Sequence, residues 1–496
     1  KMKRRAFLAG TSKLSLAMAI PYSMSKRGFA AMLPSDITSL SAVDLSQVIR
    51  EKHASCVEVM QAYLSRIEKY NSVYNAIVSL QPEQDLLRQA KEADDELAAG
   101  RYRGWMHGMP HAVKDLAAVE GLRHTSGSLL YADRIAEHDS TMVSRIRAAG
   151  AIFIGKTNTP EFGLGSQSYN SIFGATGCAY DPALTSGGSS GGAGSALGTQ
   201  MLPVADGSDM MGSLRNPGAF NNVIGFRPST NVISGGSTDR RGLSTSGPMG
   251  RNTEDTIQFL KTIAAVDLGS DFSPIDLSRV KIGWLGSLDG YFALETGILD
   301  LCRDAMEEIN REGAVVAEVR PRFEPNDLWF SWTTLRHLGR ASMKRFLDDP
   351  ALSEKLKPEL KWEIEQSQYL TEGDRATANA IRGEWYQELD RLFEEYDFLA
   401  IPSAQVFPYP KEVKWPSEIE GRKMDTYHRW MEIVILASLG GIPVINVPVG
   451  FDKAGRPMGI QIMANFGQDR KVLEFGLAYE RRTDFLQQRP KMIESA

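Results

Sequence analysis

The chain has 496 residues, 42% of them hydrophobic and 24% charged, a composition that supports a large buried core. Lys+Arg of 56 against Asp+Glu of 61 leaves a net charge of -5, so no basic field points to nucleic acid or an anionic membrane as a partner. Cys56, Cys178 and Cys302 lie far apart with no CxxC spacing, which argues against a disulfide framework or a cysteine-built metal site and predicts buried thiols.

The chain opens with Lys3-Arg4-Arg5-Ala6-Phe7-Leu8, a mildly apolar segment from Leu14 to Met24, and small residues around Gly28-Phe29-Ala30-Ala31. Paired arginines before Phe-Leu resemble a twin-arginine export signal, a receptor-read address rather than an anchor. The apolar segment falls short of the roughly 20 residues needed to span a bilayer, so no stable membrane insertion is expected. The expectation is a signal over residues 1–30, a single domain over 31–496, and a periplasmic or secreted location.

Val43, Leu45, Val48 and Ile49, then Val57, Val59, Met60, Tyr63 and Leu64, carry the spacing of two amphipathic helices. A third helix is predicted from Pro82 to Ala99, ended by Gly100. Gly108-Met109-Pro110-His111-Ala112-Val113-Lys114 places a lysine at the end of a short apolar run, where its neighbours Ala112, Val113, Leu116 and Ala117 favour burial. Thr141 to Ala149 reads as a helix closed by Gly150 and followed by a buried strand, Ala151 to Gly155. The order repeats with helix Ile298 to Glu312, Gly313 and strand Ala314 to Val319, preceded by a strand from Val280 to Leu285. Such units belong to an α/β fold, a sheet covered by helices.

Residues 323–395 read as a helical insertion carrying Trp329, Phe330, Trp332, Trp385 and Tyr386, with breaks at Pro350 and Pro358. Core packing is the default role of these aromatics, and lining of a substrate channel the sharper one. Strand-like runs return at Phe398 to Pro402 and Val444 to Val449, with a helix from Met431 to Leu439 between them.

The chemistry centres on a glycine- and serine-rich stretch between Thr185 and Arg215, which contains Gly187-Gly188-Ser189-Ser190-Gly191-Gly192 and Gly207-Ser208-Asp209-Met210-Met211-Gly212-Ser213. Glycine backbone lets N–H groups converge on an anion, either a phosphate or the oxyanion of an attacked carbonyl. The lysine that a P-loop carries after its last glycine is missing, which favours carbonyl chemistry.

Taken together with Met109-Pro110-x-x-x-Lys114-Asp115, Gly155-Lys156-Thr157-Asn158-Thr159-Pro160-Glu161, Phe173-Gly174-Ala175-Thr176, Gly225-Phe226-Arg227-Pro228-Ser229 and Gly459-Ile460-Gln461, these segments resemble the amidase signature hydrolases over nearly all of the chain after the leader. The resemblance implies a central twisted mixed β-sheet covered by α-helices on both faces. It also implies an amidase with no cofactor or metal, acting on a small-molecule amide, with a homodimer as the assembly considered.

By position, Ser213 becomes the nucleophile, Ser189 a bridging serine after a cis peptide bond, and Lys114 the base. The backbone N–H groups of Met210, Met211, Gly212 and Ser213 become the oxyanion hole. The family's commonest pattern has glycine where Met211 stands, a departure that either narrows the pocket or denies the backbone a glycine-only conformation. Arg215 is assigned to anchoring the loop.

The chemistry stands independently of the resemblance. A lysine acts as a base near pH 7 only when desolvated, since its pKa starts at about 10.4, and lowering it by about 3 units costs roughly 4 kcal/mol. An intervening hydroxyl can pass a proton from the attacking serine to such an amine.

For the substrate, Phe162, Leu164, Gln167, Ser190 and Trp332 are the candidate contacts, and the methionines and aromatics favour an apolar or aryl acyl group. Three other readings compete. An esterase would use the same triad. A nucleophile elbow would make Ser189 attack with His337 or His428 as base. A non-catalytic scaffold would resemble the amidase component of a tRNA-dependent amidotransferase, which the family includes.

Overall fold

The computed structural model describes residues 34–235 and 240–494; the export-signal reading therefore lies outside the described residues. Helix Ala42–Arg50 starts at Ser41, whose side chain accepts from the Asp44 N–H. Helix Cys56–Tyr74 starts at a reciprocal capping box between Ser55 and Glu58. It buries Val59, Met60, Tyr63, Ile67, Tyr70 and Tyr74, a stripe at three- and four-residue spacing that faces the core. Glu83–Ala98 is the third helix.

The helix-glycine-strand units form as expected. Thr141–Ala148 leads through Gly150, at φ +101°, into strand Ile152–Thr157. Ile298–Arg311 leads through Gly313, at φ +98°, into Val315–Glu318. Positive φ at both turns is the conformation that glycine adopts without a Cβ penalty.

Eight strands form the main sheet in the spatial order Val315–Glu318, Lys281–Trp284, Phe398–Pro402, Pro457–Met463, Val444–Phe451, Ile224–Arg227, Thr245–Gly250 and Val204–Asp209. The first three are parallel and the rest pair antiparallel, so the sheet is mixed. Strand Pro457–Met463 is buried throughout, and Val444–Phe451 throughout except at Phe451, as central strands covered on both faces must be. Helices Arg215–Phe220, Ile298–Arg311 and Asp469–Glu480 pack against it.

Lys114 is not on this sheet. Its strand, Pro110–Lys114, pairs parallel with Ile152–Thr157, which pairs antiparallel with Ile77–Val78, making a separate three-stranded sheet. Strand Pro110–Lys114 packs beside Val204–Asp209 at the end of the large sheet.

Residues 323–395 are helical, with Pro325–Leu338, Pro358–Ser367 and Glu372–Glu395 as the long members. Trp332 and Trp385 are buried, and Trp385 Nε1 donates to the Leu436 carbonyl at 2.9 Å, which ties this segment to the core. The expected helix from Met431 to Leu439 divides into a 3-10 stretch, Arg429–Val434, and an α-helix, Ile435–Gly440. No helix among the described residues is long and apolar enough to cross a membrane.

Candidate active site

Strand Pro110–Lys114 ends by delivering the Lys114 side chain, 1% exposed, into a ring of hydroxyls. Its Nζ donates to Ser189 Oγ and Ser190 Oγ, each at 2.8 Å, and to Ser208 Oγ at 3.0 Å. Its backbone N–H donates to Asp206 Oδ2 at 3.2 Å, and His111 Nε2 meets Oδ1 of the same carboxylate at 3.0 Å. Burial pulls the ammonium down to about 7, against the opposing pull of Asp206 and Asp209. A second buried lysine, Lys156, is drawn down to about 8 by burial, but it bonds the Ala117 carbonyl and faces Asp115 rather than the serines.

Ser189 follows a cis peptide bond from Gly188, as the resemblance implies. The Gly188 N–H is held by Asn216 Oδ1 at 2.9 Å. An ideal Cβ on Gly188 would stand 2.7 Å from the Gln167 backbone nitrogen, so the neighbouring chain leaves no room for a side chain there.

Ser213 lies in the turn between strand Val204–Asp209 and helix Arg215–Phe220, and its side chain opens on the same pocket as Ser189. The turn is shaped by Asp209, whose Oδ1 accepts from the Gly212 N–H at 3.0 Å and whose Oδ2 accepts from the Leu214 N–H at 3.1 Å. Arg215 closes on the same carboxylate and also donates to the Val434 carbonyl, Gln461 Oε1 and Ser438 Oγ. Burial pushes the Asp209 carboxyl up, and Arg215 and Arg227 overcome it, holding the group below the usual carboxylate range.

Of the four N–H groups assigned to the oxyanion hole, that of Gly212 is committed to Asp209. Those of Met210, Met211 and Ser213 have no acceptor among the described residues. Met211 is absent from the positive-φ residues, while Gly212 stands at φ +78°, so methionine occupies position 211 without a glycine-only conformation.

The pocket, a cavity of about 180 Å³, has the apolar side chains of Leu116, Phe162, Met210 and Met211 in its lining together with Arg336, Arg340 and His428. Of the substrate candidates, only Phe162 lines it. Ser190 is fully buried on Lys114 Nζ. Gln167 donates to the carbonyls of Lys411 and Val413. Leu164 joins an apolar cluster with Leu356, Leu360, Ile364 and Tyr427. Trp332 sits beneath Arg336, whose guanidinium lies 6.0 Å from its ring. The helical segment thus reaches the pocket through arginines rather than through its aromatics. Ser208 and Asp206, which the sequence reading did not single out, complete the lysine's surroundings; their position in the glycine-rich stretch was the one available signal.

His337, Glu363 and His428, the last of them in the pocket lining, bring their ligand atoms within 4.8 Å of one another. The Glu363 charge is already shared by Arg336, at 2.6 Å, and Arg340, at 3.7 Å, so a metal ion would meet two guanidinium groups and fits poorly. Among the described residues neither histidine hydrogen-bonds a serine; His428 Nδ1 pairs with Thr426 Oγ1 at 2.7 Å. Ser189 instead has Lys114 as its partner, which runs against the elbow reading.

Known proteins resemble this chain in sequence and in fold. The Amidase family model matches residues 58–473. An acylamidase of Rhodococcus erythropolis is 30% identical over 456 residues, covering 89% of this chain and 95% of that protein. A glutamyl-tRNA(Gln) amidotransferase subunit of Alkaliphilus metalliredigens (strain QYMF) is 27% identical, covering 92% and 99%. The crystal structure of a bacterial aryl acylamidase of the amidase signature family superposes with a TM-score of 0.81 at 24% identity, covering 91% and 99%, and so shares the fold.

Proposed function

Since this chain belongs to the Amidase family and is a hydrolase of carboxamide C–N bonds, we propose that it works through an acyl-enzyme on Ser213, with Lys114 as base and Ser189 as the proton relay. What carries the reading is Lys114 itself, a buried amine brought down to about 7 and held 2.8 Å from Ser189 Oγ.

Neutral Lys114 takes the Ser189 proton as Ser189 takes that of Ser213, and Ser213 Oγ attacks the carbonyl carbon. The charge that develops on the carbonyl oxygen is met by N–H groups in the turn around Met211. As the C–N bond breaks, the relay returns the proton to the departing nitrogen, and water then releases the acid by the same steps. Among the described residues no hydrogen bond joins Ser213 Oγ to Ser189 Oγ. The relay closes by rotation of the serine side chain when the substrate enters, as catalytic contacts commonly tighten on binding.

The flank of Leu116, Phe162, Met210 and Met211 supports an apolar or aryl acyl group. Preference for a short polar amide such as malonamide in a substrate screen would overturn that assignment. We also propose export, on the twin-arginine-like residues around Arg4 and Arg5; cell fractionation tests it.

The test of the mechanism is peptide mapping after reaction with a fluorophosphonate. A single adduct on Ser213, slowed strongly in Lys114→Ala, is expected. An adduct on Ser189 would mean the elbow mechanism instead.

A further inference from the structure

Two arginines stand in the wall of the pocket that holds Ser189 and Ser213, and they are not equivalent. Arg336, from the last turn of helix Pro325–Leu338, has all three nitrogens engaged: Nε on Glu363 Oε1 at 2.6 Å, Nη1 on Met210 Sδ at 3.2 Å and Nη2 on Tyr427 Oη at 2.9 Å. Arg340, one turn further on, makes no side-chain hydrogen bond among the described residues. Its nearest partner is Glu363 Oε2, 3.7 Å from Nε, beyond hydrogen-bond reach. Yet the Arg340 side chain is only 19% exposed, and it lines the pocket.

Glu363 is the single carboxylate paired with both guanidinium groups, and it is held at about 2, its burial outweighed by Arg336 and Arg340. His337 and His428 are pushed by burial toward their neutral forms and so neither add to the positive charge nor offset it. Arg340 is thus the guanidinium of the pocket wall that is paired only at ion-pair distance and makes no side-chain hydrogen bond among the described residues. A planar guanidinium matches a carboxylate in a two-point contact.

We infer that the substrate carries a carboxylate in addition to the amide, and that Arg340 binds it. The apolar flank then receives the body of the substrate and Arg340 its charged end, while Arg336, locked between Glu363 and Tyr427, is a positioning residue for the Met210 side chain. The inference rests on the proposed amidase reading for its kinetic arm alone.

The kinetic arm compares two pairs of amides: benzamide with 4-carbamoylbenzoate, which places the carboxylate on the acyl side, and N-ethylbenzamide with N-benzoylglycine, which places it on the amine side. The expected result is a kcat/KM at least tenfold higher for the charged member of one pair, with the pair identifying the side. Arg340→Gln should lower that ratio by tenfold or more, and Arg340→Lys should restore part of it. Equal rates within both pairs in the wild-type enzyme, or a ratio unmoved in Arg340→Gln, would overturn the assignment. If Arg340→Gln does not fold, the wild-type ratios decide alone.

The binding arm uses calorimetry with terephthalate and the Ser213→Ala protein, which needs no turnover. Binding weakened at least tenfold by a further Arg340→Gln change supports the carboxylate site, and unaltered binding or none refutes it. Loss of all amide turnover and of Ser213 labelling with terephthalate still bound through Arg340 would fault the amidase mechanism and keep the anion site.

Discussion

Arg215 grips Asp209 with two parallel hydrogen bonds, Nε to Oδ2 at 3.0 Å and Nη2 to Oδ1 at 2.8 Å, and Ser213 lies in the loop that this clasp closes. Both side chains are fully buried, and the Asp209 carboxylate also holds the N–H groups of Gly212 and Leu214 on either side of Ser213. The position of Ser213, the proposed nucleophile, is therefore set by an ion pair that is not part of the pocket lining.

Arg215→Met should leave the Asp209 charge with Arg227 alone and lower stability by about 3–5 kcal/mol, the usual cost of stranding one partner of a buried pair. Urea unfolding measures it, and a midpoint equal to wild type would show the clasp to be energetically idle. Because the folded Asp209 pKa lies below its ordinary value, its contribution is present above about pH 4 and fades as pH falls through the folded value.

Under the proposed mechanism Lys114 sets the pH dependence of activity. With its ammonium at about 7, kcat/KM should rise with pH through that value and level off as the neutral amine fills. The stability effect runs the same way: between about 7 and 10.4 the unfolded chain binds the extra proton, so stability rises with pH across that window. Lys114→Met should therefore gain stability over wild type at pH 6, by up to about 5 kcal/mol, with the gap closing toward pH 10. A gap that does not vary with pH would show that Lys114 is not desolvated.

Ser208 Oγ accepts from Lys114 Nζ at 3.0 Å and so favours the charged amine. Ser208→Ala should move the rising limb of the pH profile down by about 0.5–1 pH unit. A shift upward, measured on one substrate at fixed ionic strength, would mean that the hydroxyl acts as a donor to the neutral amine instead.

His428→Gln tests the histidine alternative. With Lys114 as base, kcat/KM should fall by no more than about tenfold, whereas removal of a histidine base costs about 10⁶ in kcat in a serine hydrolase that depends on one. Steady-state kinetics on one amide separates the two.

Much of this site was legible in the sequence because its residues sit in short, compositionally odd runs. Lys114 ends an apolar strand, and the two serine clusters stand among glycines that exclude side chains, as Gly188 does against Gln167. The strands flanking them were harder to see. Val204–Asp209 reads VADGSD and Thr245–Gly250 reads TSGPMG, both rich in residues that favour turns, and they are strands because neighbours on the large sheet supply the ladder. Arg336 and Arg340 could not be assigned to the pocket from helical spacing, since what brings them there is the packing of residues 323–395 on a segment more than a hundred residues earlier.

The proposed base and nucleophile also stand on different slabs of the molecule. Lys114 belongs to the three-stranded sheet, Ser213 follows a strand of the eight-stranded one, and the Asp206 carboxylate, accepting from the Lys114 N–H at 3.2 Å, is the rivet between them. Proton relay over 2.8 Å tolerates little slip, so the enzyme acts as its own alignment gauge. Under the proposed mechanism a shear of one slab past the other would silence catalysis while both sheets remain intact.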